Sequence, residues 1–415
     1  MFVNCSHLLA NDAIMEKINE VEVVGLKIFH TADWHLGKLV QGVYMTEDQR
    51  HILQQFITAI DEEQPDVIII AGDLYDRSLP PVDAVNLLDE TLAEIVLKRK
   101  VPVVSIAGNH DSPTRLQFGS KLMKESGLHI VGELNSNLQP IVINDEFGEV
   151  HFHLIPFAEP STVKHIFSDN SISTYDEAMK KVIDAIEEKM DKSKRHVLIG
   201  HAFVTPHGEK EDNTSDSERP LAIGGSECVR ADYFKPFHYT ALGHLHKAHY
   251  VLNETIRYSG SPLKYSASEA NHEKGFLVID LDKDGQAQIT KRKFIPRRDL
   301  RIIEGALSEI LKHDESEDYV FVRLTDITPV VGAMEQIRTV YPNAMHVERK
   351  ALPKLDKDEN GEAVRREQLD DLSLFHAFHK EIVGTEPTDL QRQLFEEVLQ
   401  ELLTEDREVK EVVTK

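Results

Sequence analysis

Eight side chains able to bind a metal or move a proton follow short apolar runs: Asp33, His35, Asp73, Asn109, His110, His201, His244 and His246. Carboxylates, an amide and neutral imidazoles, without a thiolate, suit manganese, iron or magnesium better than a structural zinc. They are too many for one ion. Divided between two ions with one carboxylate shared, they make a binuclear hydrolytic centre, whose ions typically lie about 3.5 to 4 Å apart and clamp an in-line displacement at phosphorus. Asp73 is the natural bridge, because it emerges from the middle of a three-strand unit. A lone Asp-x-His is common by chance, and a single histidine is more often a hydrogen-bonded structural residue than a ligand. Repetition of the pattern at successive strand ends makes the ligand reading the stronger one.

The elements that position these groups can be read from the chain. Asp66 to Asp76 runs Asp-Val-Ile-Ile-Ile-Ala-Gly-Asp-Leu-Tyr-Asp, the pattern of a buried parallel strand ending in a sharp turn. In open α/β sheets ligands bind in the crevice beyond such strand ends. Leu26 to Thr31 is an earlier strand, followed by Asp33 and His35, which in extended backbone would face the same side. Amphipathic helices at about Glu47 to Glu62 and Val82 to Lys98 alternate with these strands. Val101 to Ile106 then leads into Gly108-Asn109-His110-Asp111. The result is a βαβαβ unit with a parallel sheet and right-handed crossovers. Beyond it come a strand at His151 to Phe157 and a helix at about Tyr175 to Met190. Val197 to Ile199 ends in Gly200 and His201, and Tyr239 to Gly243 runs into His244-Leu245-His246. Ile256 to Ser259 and Gly275 to Leu281 are expected to complete a second sheet. The polar stretch Thr205 to Glu218 reads as a mobile surface loop, with a substrate lid as the alternative.

Residues 1–24 lack periodicity and read as an N-terminal arm or a misassigned start. Pro296-Arg297-Arg298 marks a boundary, so the expected division is 25–296 for the domain with the donor residues, 297–353 for a small α/β domain, and 354–415 for a linker and C-terminal helices. The linker is the polar stretch Lys354 to Arg366. One helix, Leu372 to Val383, is closed by Gly384. Another, about Asp389 to Leu403, opens on Thr388-x-x-Gln391, a capping-box pattern. Leu394, Phe395, Val398, Leu399, Leu402 and Leu403 fall along one face. That face must pack on this chain's own small domain or on a partner.

The length of 415 residues suggests two or three domains. At 41% hydrophobic and 28% charged residues the composition is that of a globular protein. The net charge of -24 argues against a chain that coats nucleic acid through its overall field. Any nucleic-acid substrate must be drawn by metal ions and a few placed cations, for which Arg77, Arg115, Lys247 and Lys264 are candidates. Each taken singly is at least as readily an ordinary solvated charge. Two cysteines, Cys5 and Cys228, exclude a disulfide framework and suit a reducing cytoplasm. No apolar run approaches the roughly 20 residues that span a bilayer, so no membrane role is expected. No Gly-x-x-x-x-Gly-Lys-Ser/Thr occurs, so this chain should not hydrolyse ATP.

The ordered series Asp-x-His, Gly-Asp, Gly-Asn-His-Asp, Gly-His and Gly-His-x-His closely resembles the calcineurin-like metallophosphoesterases. More narrowly, His30 to Gly37, Gly72 to Arg77, Arg219 to Gly225 and Tyr258 to Pro262 resemble the SbcD family of bacterial nuclease subunits, which work with the ATPase SbcC. The resemblance runs from about Leu26 into the final helices. It implies an α/β fold, a metallophosphoesterase two-sheet sandwich flanked by helices, with a small α/β capping domain and C-terminal partner-docking helices. It implies a metal-dependent DNA nuclease, a double-strand exonuclease and a single-strand and hairpin endonuclease, acting in DNA end processing, replication, repair and recombination. A small-substrate phosphodiesterase or phosphatase of the same superfamily is the alternative. One ion would be held by Asp33, His35, Asp73 and His246, and a second by Asp73, Asn109, His201 and His244. Both would be manganese, with magnesium next. His110 would be the catalytic residue, beside the ions without binding them, positioned to stabilise the phosphorane-like charge or to protonate the leaving 3' oxygen, and Asp76, where relatives vary, has no role assigned. The expected partners are an SbcC-like ATPase in a heterotetramer, a second copy joined through the nuclease domain, and DNA.

Overall fold

The computed structural model describes residues 25–208, 214–218, 227–326, 328–350 and 371–399. The chain divides into two compact units after Asp299. In the first unit, Leu26–Thr31, Val67–Ile70, Val103–Ile106 and Leu128–Val131 lie parallel in that order. Gly275–Leu281 adds antiparallel to the open side of Leu26–Thr31, and Ala287–Lys293 adds antiparallel to that. The second sheet runs His249–Val251, Asn253–Tyr258, Tyr239–Gly243, Arg195–His201, Gly148–Ile155 and Ile141–Asp145.

Near-continuous apolar strands are explained by cover on both faces. Leu26, Ile28, Val67, Ile69, Val104 and Ile106 meet Val150, Phe152, Val197, Ile199, Tyr239 and Ala241 of the other sheet in one dry core. The alternate residues point outward. Phe29 meets Phe56 of helix Thr46–Glu63 with ring centroids 5.8 Å apart. The outer face of the second sheet is covered by helix Tyr175–Glu187, whose Ala178, Met179, Val182, Ile183 and Ile186 form a buried stripe. A capping box between Thr174 and Glu177 starts that helix. Helix Val82–Leu92 continues into a π-helical turn, Ala93–Lys98, where Arg99 N–H donates to Glu94 O five residues back.

The second sheet lacks one expected member. Gly275–Leu281 belongs to the first sheet, because the chain crosses back after Tyr258 and pairs beside its own first strand. Apolar pattern fixes that a segment is a strand but says little about which edge it joins.

The second unit carries a parallel sheet, with Tyr319–Leu324 between Leu300–Gly305 and Ala344–Arg349. Two short helices, Leu307–Ile310 and Ala333–Ile337, pack Ile310 and Ile337 against Val320 and Val322. Helix Asp371–Val383 ends at Gly384, whose φ of +78° suits glycine. A further helix covers 389–399, and its Phe395 stacks on Phe375 with centroids 4.1 Å apart. Among the described residues no helix is long and apolar enough to cross a membrane. The N-terminal arm, the motif at Arg219 to Gly225, the linker at Lys354 to Arg366, and Leu402 and Leu403 lie outside the described residues.

Candidate metal centre

All eight donor residues converge at or beyond the carboxyl ends of five strands, four of them through backbone that is not extended. Asp33, His35, Asp73 and His244 have φ of +55°, +46°, +50° and +109°. Non-glycine residues avoid this region, and such conformations gather where a site requires them. The turns are tied together: Asp33 N–H donates to Gly72 O at 3.1 Å and His35 N–H to Asp73 O at 2.9 Å. The common orientation of Asp33 and His35 therefore comes from a left-handed turn. Asp111 fixes the next layer by accepting from the N–H groups of Leu74 at 3.1 Å, Tyr75 at 3.0 Å and Gly108 at 2.9 Å. Gly72 has a φ of +91°, and a Cβ there would lie 2.3 Å from His201 Nδ1.

Asp73 is central. Its Oδ1 accepts from His110 N–H at 2.8 Å, and its Oδ2 lies 3.6 Å from His35 Nε2 and 3.5 Å from His201 Nε2. Two clusters of potential ligand atoms share it, one with His35 and His110, the other with Asp33 and His201. His201 Nδ1 donates to Ala71 O at 2.9 Å, which leaves Nε2 facing Asn109 Oδ1 at 3.0 Å. The same Asn109 oxygen lies 3.2 Å from His244 Nδ1. His246 Nε2 lies 3.0 Å from His35 Nε2, and Asp33 Oδ1 accepts from His244 N–H at 2.9 Å. His110 is half-buried, its Nδ1 donating to Asp76 O at 2.8 Å. The Asp76 carboxylate pairs with Lys38 at 2.8 Å.

The donor set fits divalent cations on two counts. Asp33 Oδ2 is buried without a hydrogen-bond partner among the described residues, a costly arrangement unless a cation meets it. The electrostatics agree. Burial pushes Asp33 up to about 7. Burial also opposes the Asp73 charge, yet His201 and His35 hold that carboxyl well below its usual range. His201, which burial alone would lower, is held up at about 9 by Asp73 and Asp33, so without an ion a proton supplies the positive charge. Burial pushes His35 and His244 well below the ordinary imidazole value, the neutral form that ligates metal.

The proposed phosphate contacts differ among themselves. Arg77, Arg115 and Lys247 are exposed and form no ion pair among the described residues. Lys264 Nζ is engaged by Ala270 O at 2.7 Å and Asp299 at 2.8 Å. Sequence reasoning missed Glu269, Lys274, Gln49 and the pair Ser217 and Glu218. Gln49 donates to His35 O at 2.7 Å and accepts from Gly37 N–H at 3.1 Å. Glu218 accepts from His246 N–H at 2.7 Å. The described part of the stretch read as a surface loop thus reaches a candidate ligand. Only Gln49 lay in a recognisable element, and nothing in its spacing separates a buried glutamine from an exposed one.

The calcineurin-like phosphoesterase family matches residues 26–248. The family described as the type 5 capsule protein repressor C-terminal domain matches residues 296–382. The D subunit of the nuclease SbcCD from Staphylococcus epidermidis is 37% identical over 387 residues, covering 92% of this chain and all of that protein. Among solved structures, a dimetal phosphatase from Danio rerio is 14% identical, covering 66% of this chain and 98% of that one, with a TM-score of 0.38. A 5'-nucleotidase precursor from Thermus thermophilus is likewise 14% identical, over 66% of this chain and 54% of that one, with a TM-score of 0.35.

Proposed function

The chain belongs to the calcineurin-like phosphoesterase family, and within it to the SbcD nuclease subunits; on that premise we propose how its donor cluster works. It is a metal-dependent nuclease, a hydrolase of phosphodiester bonds. The observation that carries the mechanism is the membership of Asp73 in both donor clusters. Asp33, His35, Asp73 and His246 would hold one divalent ion, and Asp73, Asn109, His201 and His244 the other. When bound, two such ions supply Lewis acidity at phosphorus and stabilise the charge that builds there. Manganese suits the mixed oxygen and nitrogen donors, with magnesium next.

His110 is the proposed catalytic acid. With Nδ1 donated to Asp76 O, Nε2 is the atom free to give a proton to the leaving 3' oxygen. A cationic ring beside the phosphorus stabilises the transition state more than the ground state. The Asp76 carbonyl holds that ring in place from behind.

The proposed substrate is DNA: double-strand ends as exonuclease, single strands and hairpins as endonuclease, in end processing, replication, repair and recombination. Exposed Arg77, Arg115 and Lys247 support phosphate contact on either side of the scissile bond, whereas Lys264 supports the surrounding loop. The proposed assembly is a heterotetramer with an SbcC-like ATPase, acting in the cytoplasm. Two nuclease domains would pair through the segments after the second and third strands, where Leu79, Val82, Val85, Phe118 and Leu122 are exposed. The second unit would be the capping domain, followed by docking helices whose Phe378, Leu394 and Val398 are exposed.

The test is cleavage of a labelled hairpin-ended duplex by the purified chain with manganese(II), beside a metal-free control and Asp73→Ala. Cleavage requiring both metal and Asp73 is expected. No cleavage of DNA with brisk hydrolysis of a small phosphodiester would overturn the substrate assignment in favour of a small-substrate phosphodiesterase.

A further inference from the structure

The contacts of His246 extend well behind the donor cluster. Its Nδ1 lies 2.8 Å from Ser217 Oγ and 3.2 Å from Glu269 Oε1, and Ser217 Oγ also donates to that carboxylate. Glu269 is fully buried. Its other oxygen meets Lys274 Nζ at 2.5 Å, and the same ammonium donates to His246 O at 2.8 Å and Ser261 Oγ at 2.7 Å. Ser261 N–H reaches His246 O as well, at 3.2 Å. One buried ion pair thus grips both the side chain and the backbone of a single residue.

A buried carboxylate beside a ring nitrogen requires a proton on that nitrogen. With the proton held on Nδ1, the lone pair of His246 is on Nε2, the atom facing His35 and the donor cluster. We propose that Glu269, charge-balanced by Lys274 and bridged by Ser217, is a positioning residue that fixes the tautomer and angle of His246 for metal binding. The proposal rests on His246 being a ligand. Carboxylates behind ligating histidines raise ligand basicity, and their loss typically weakens metal affinity about 10- to 100-fold. Ser217 brings a second, sequence-distant segment into the same function, so the bridge and the metal site assemble together.

The test uses the full chain, stripped with chelator and titrated with manganese(II) by calorimetry. The wild-type chain should bind two ions, and Glu269→Gln should weaken one of them about 10- to 100-fold with the other unchanged. Glu269→Asp should recover part of the loss. Histidine-selective nitrogen NMR of the metal-free wild-type chain, with His246 assigned through His246→Asn, should show the His246 proton on Nδ1. That measurement stands even where a variant at Glu269 fails to fold. A folded Glu269→Gln with wild-type affinity for both ions, or a wild-type His246 protonated on Nε2, would overturn the positioning role. A wild-type chain binding no manganese would instead overturn the metal reading on which it rests.

Discussion

Left-handed backbone at Asp33, His35, Asp73 and His244 means that the donor geometry is stored in the apo fold. Gly72 is where that arrangement tolerates least change. Gly72→Ala should destabilise the chain by more than about 1 kcal/mol, because the new Cβ meets His201 Nδ1 at 2.3 Å in a conformation alanine avoids. Thermal melting of the metal-free variant would measure the loss, and an unchanged melting temperature would refute it. His110→Ala should behave oppositely, keeping both ions while cleavage falls about 100- to 10,000-fold. Metal analysis beside single-turnover cleavage checks this, and departure of both ions would end the assignment of His110 as the acid. The donor residues were legible because each directly follows an apolar run. The buttresses were not. Glu269 and Lys274 sit in an ordinary polar stretch, and only the returning chain makes a buried pair of them.

Strands explain how residues so far apart in sequence meet. The first three parallel strands and the helices between them were readable from buried, β-branched runs and helical periodicity. Their neighbours were less so, since a strand such as Gly275–Leu281 pairs equally well, by pattern, with either sheet. The two sheets are also joined by a contact no pattern announces: Arg195 pairs with Asp145 at 2.5 Å and donates to Asp282 O at 3.2 Å. Asp145 lies on an edge strand of the second sheet and Asp282 just past Gly275–Leu281 of the first. Asp145→Ala should cost about 3 kcal/mol, because it leaves the buried guanidinium with carbonyl partners but no counter-charge. Burial opposes the Asp145 charge, but Arg195 holds the carboxyl below its ordinary value. A depressed carboxyl stabilises the fold above its unfolded pKa, and the contribution fades as pH falls through the native one. Denaturant melts at pH 7 and near pH 2 should therefore show the gap between wild type and Asp145→Ala narrowing in acid.

For the whole molecule, acidity and substrate must be reconciled. A net charge of -24 repels DNA at long range, so binding should depend on a few exposed cations and on the ions. Arg77→Ala, Arg115→Ala and Lys247→Ala should each weaken duplex affinity at every sequence and reduce the salt slope by about 0.9. Lys264→Ala, with its amine turned inward, should leave the slope unchanged. Fluorescence anisotropy across a salt series separates these outcomes. At the same scale, Val85→Glu with Phe118→Glu should convert a dimer to a monomer in sedimentation while metal content is retained. These surfaces were illegible in the sequence, where exposed and buried apolar residues look alike.

The strand Gly275–Leu281 also orders events during synthesis. It is the partner of the first strand, Leu26–Thr31, yet leaves the ribosome roughly 250 residues after it, and such distant pairings form late. Asp33 and Asp73 are placed by strands that emerge early, whereas His246 waits on Glu269 and Lys274. A product ending before Lys274 is expected to lose the Glu269 ion pair and the antiparallel neighbour of Leu26–Thr31, and so to bind manganese(II) more weakly in calorimetry.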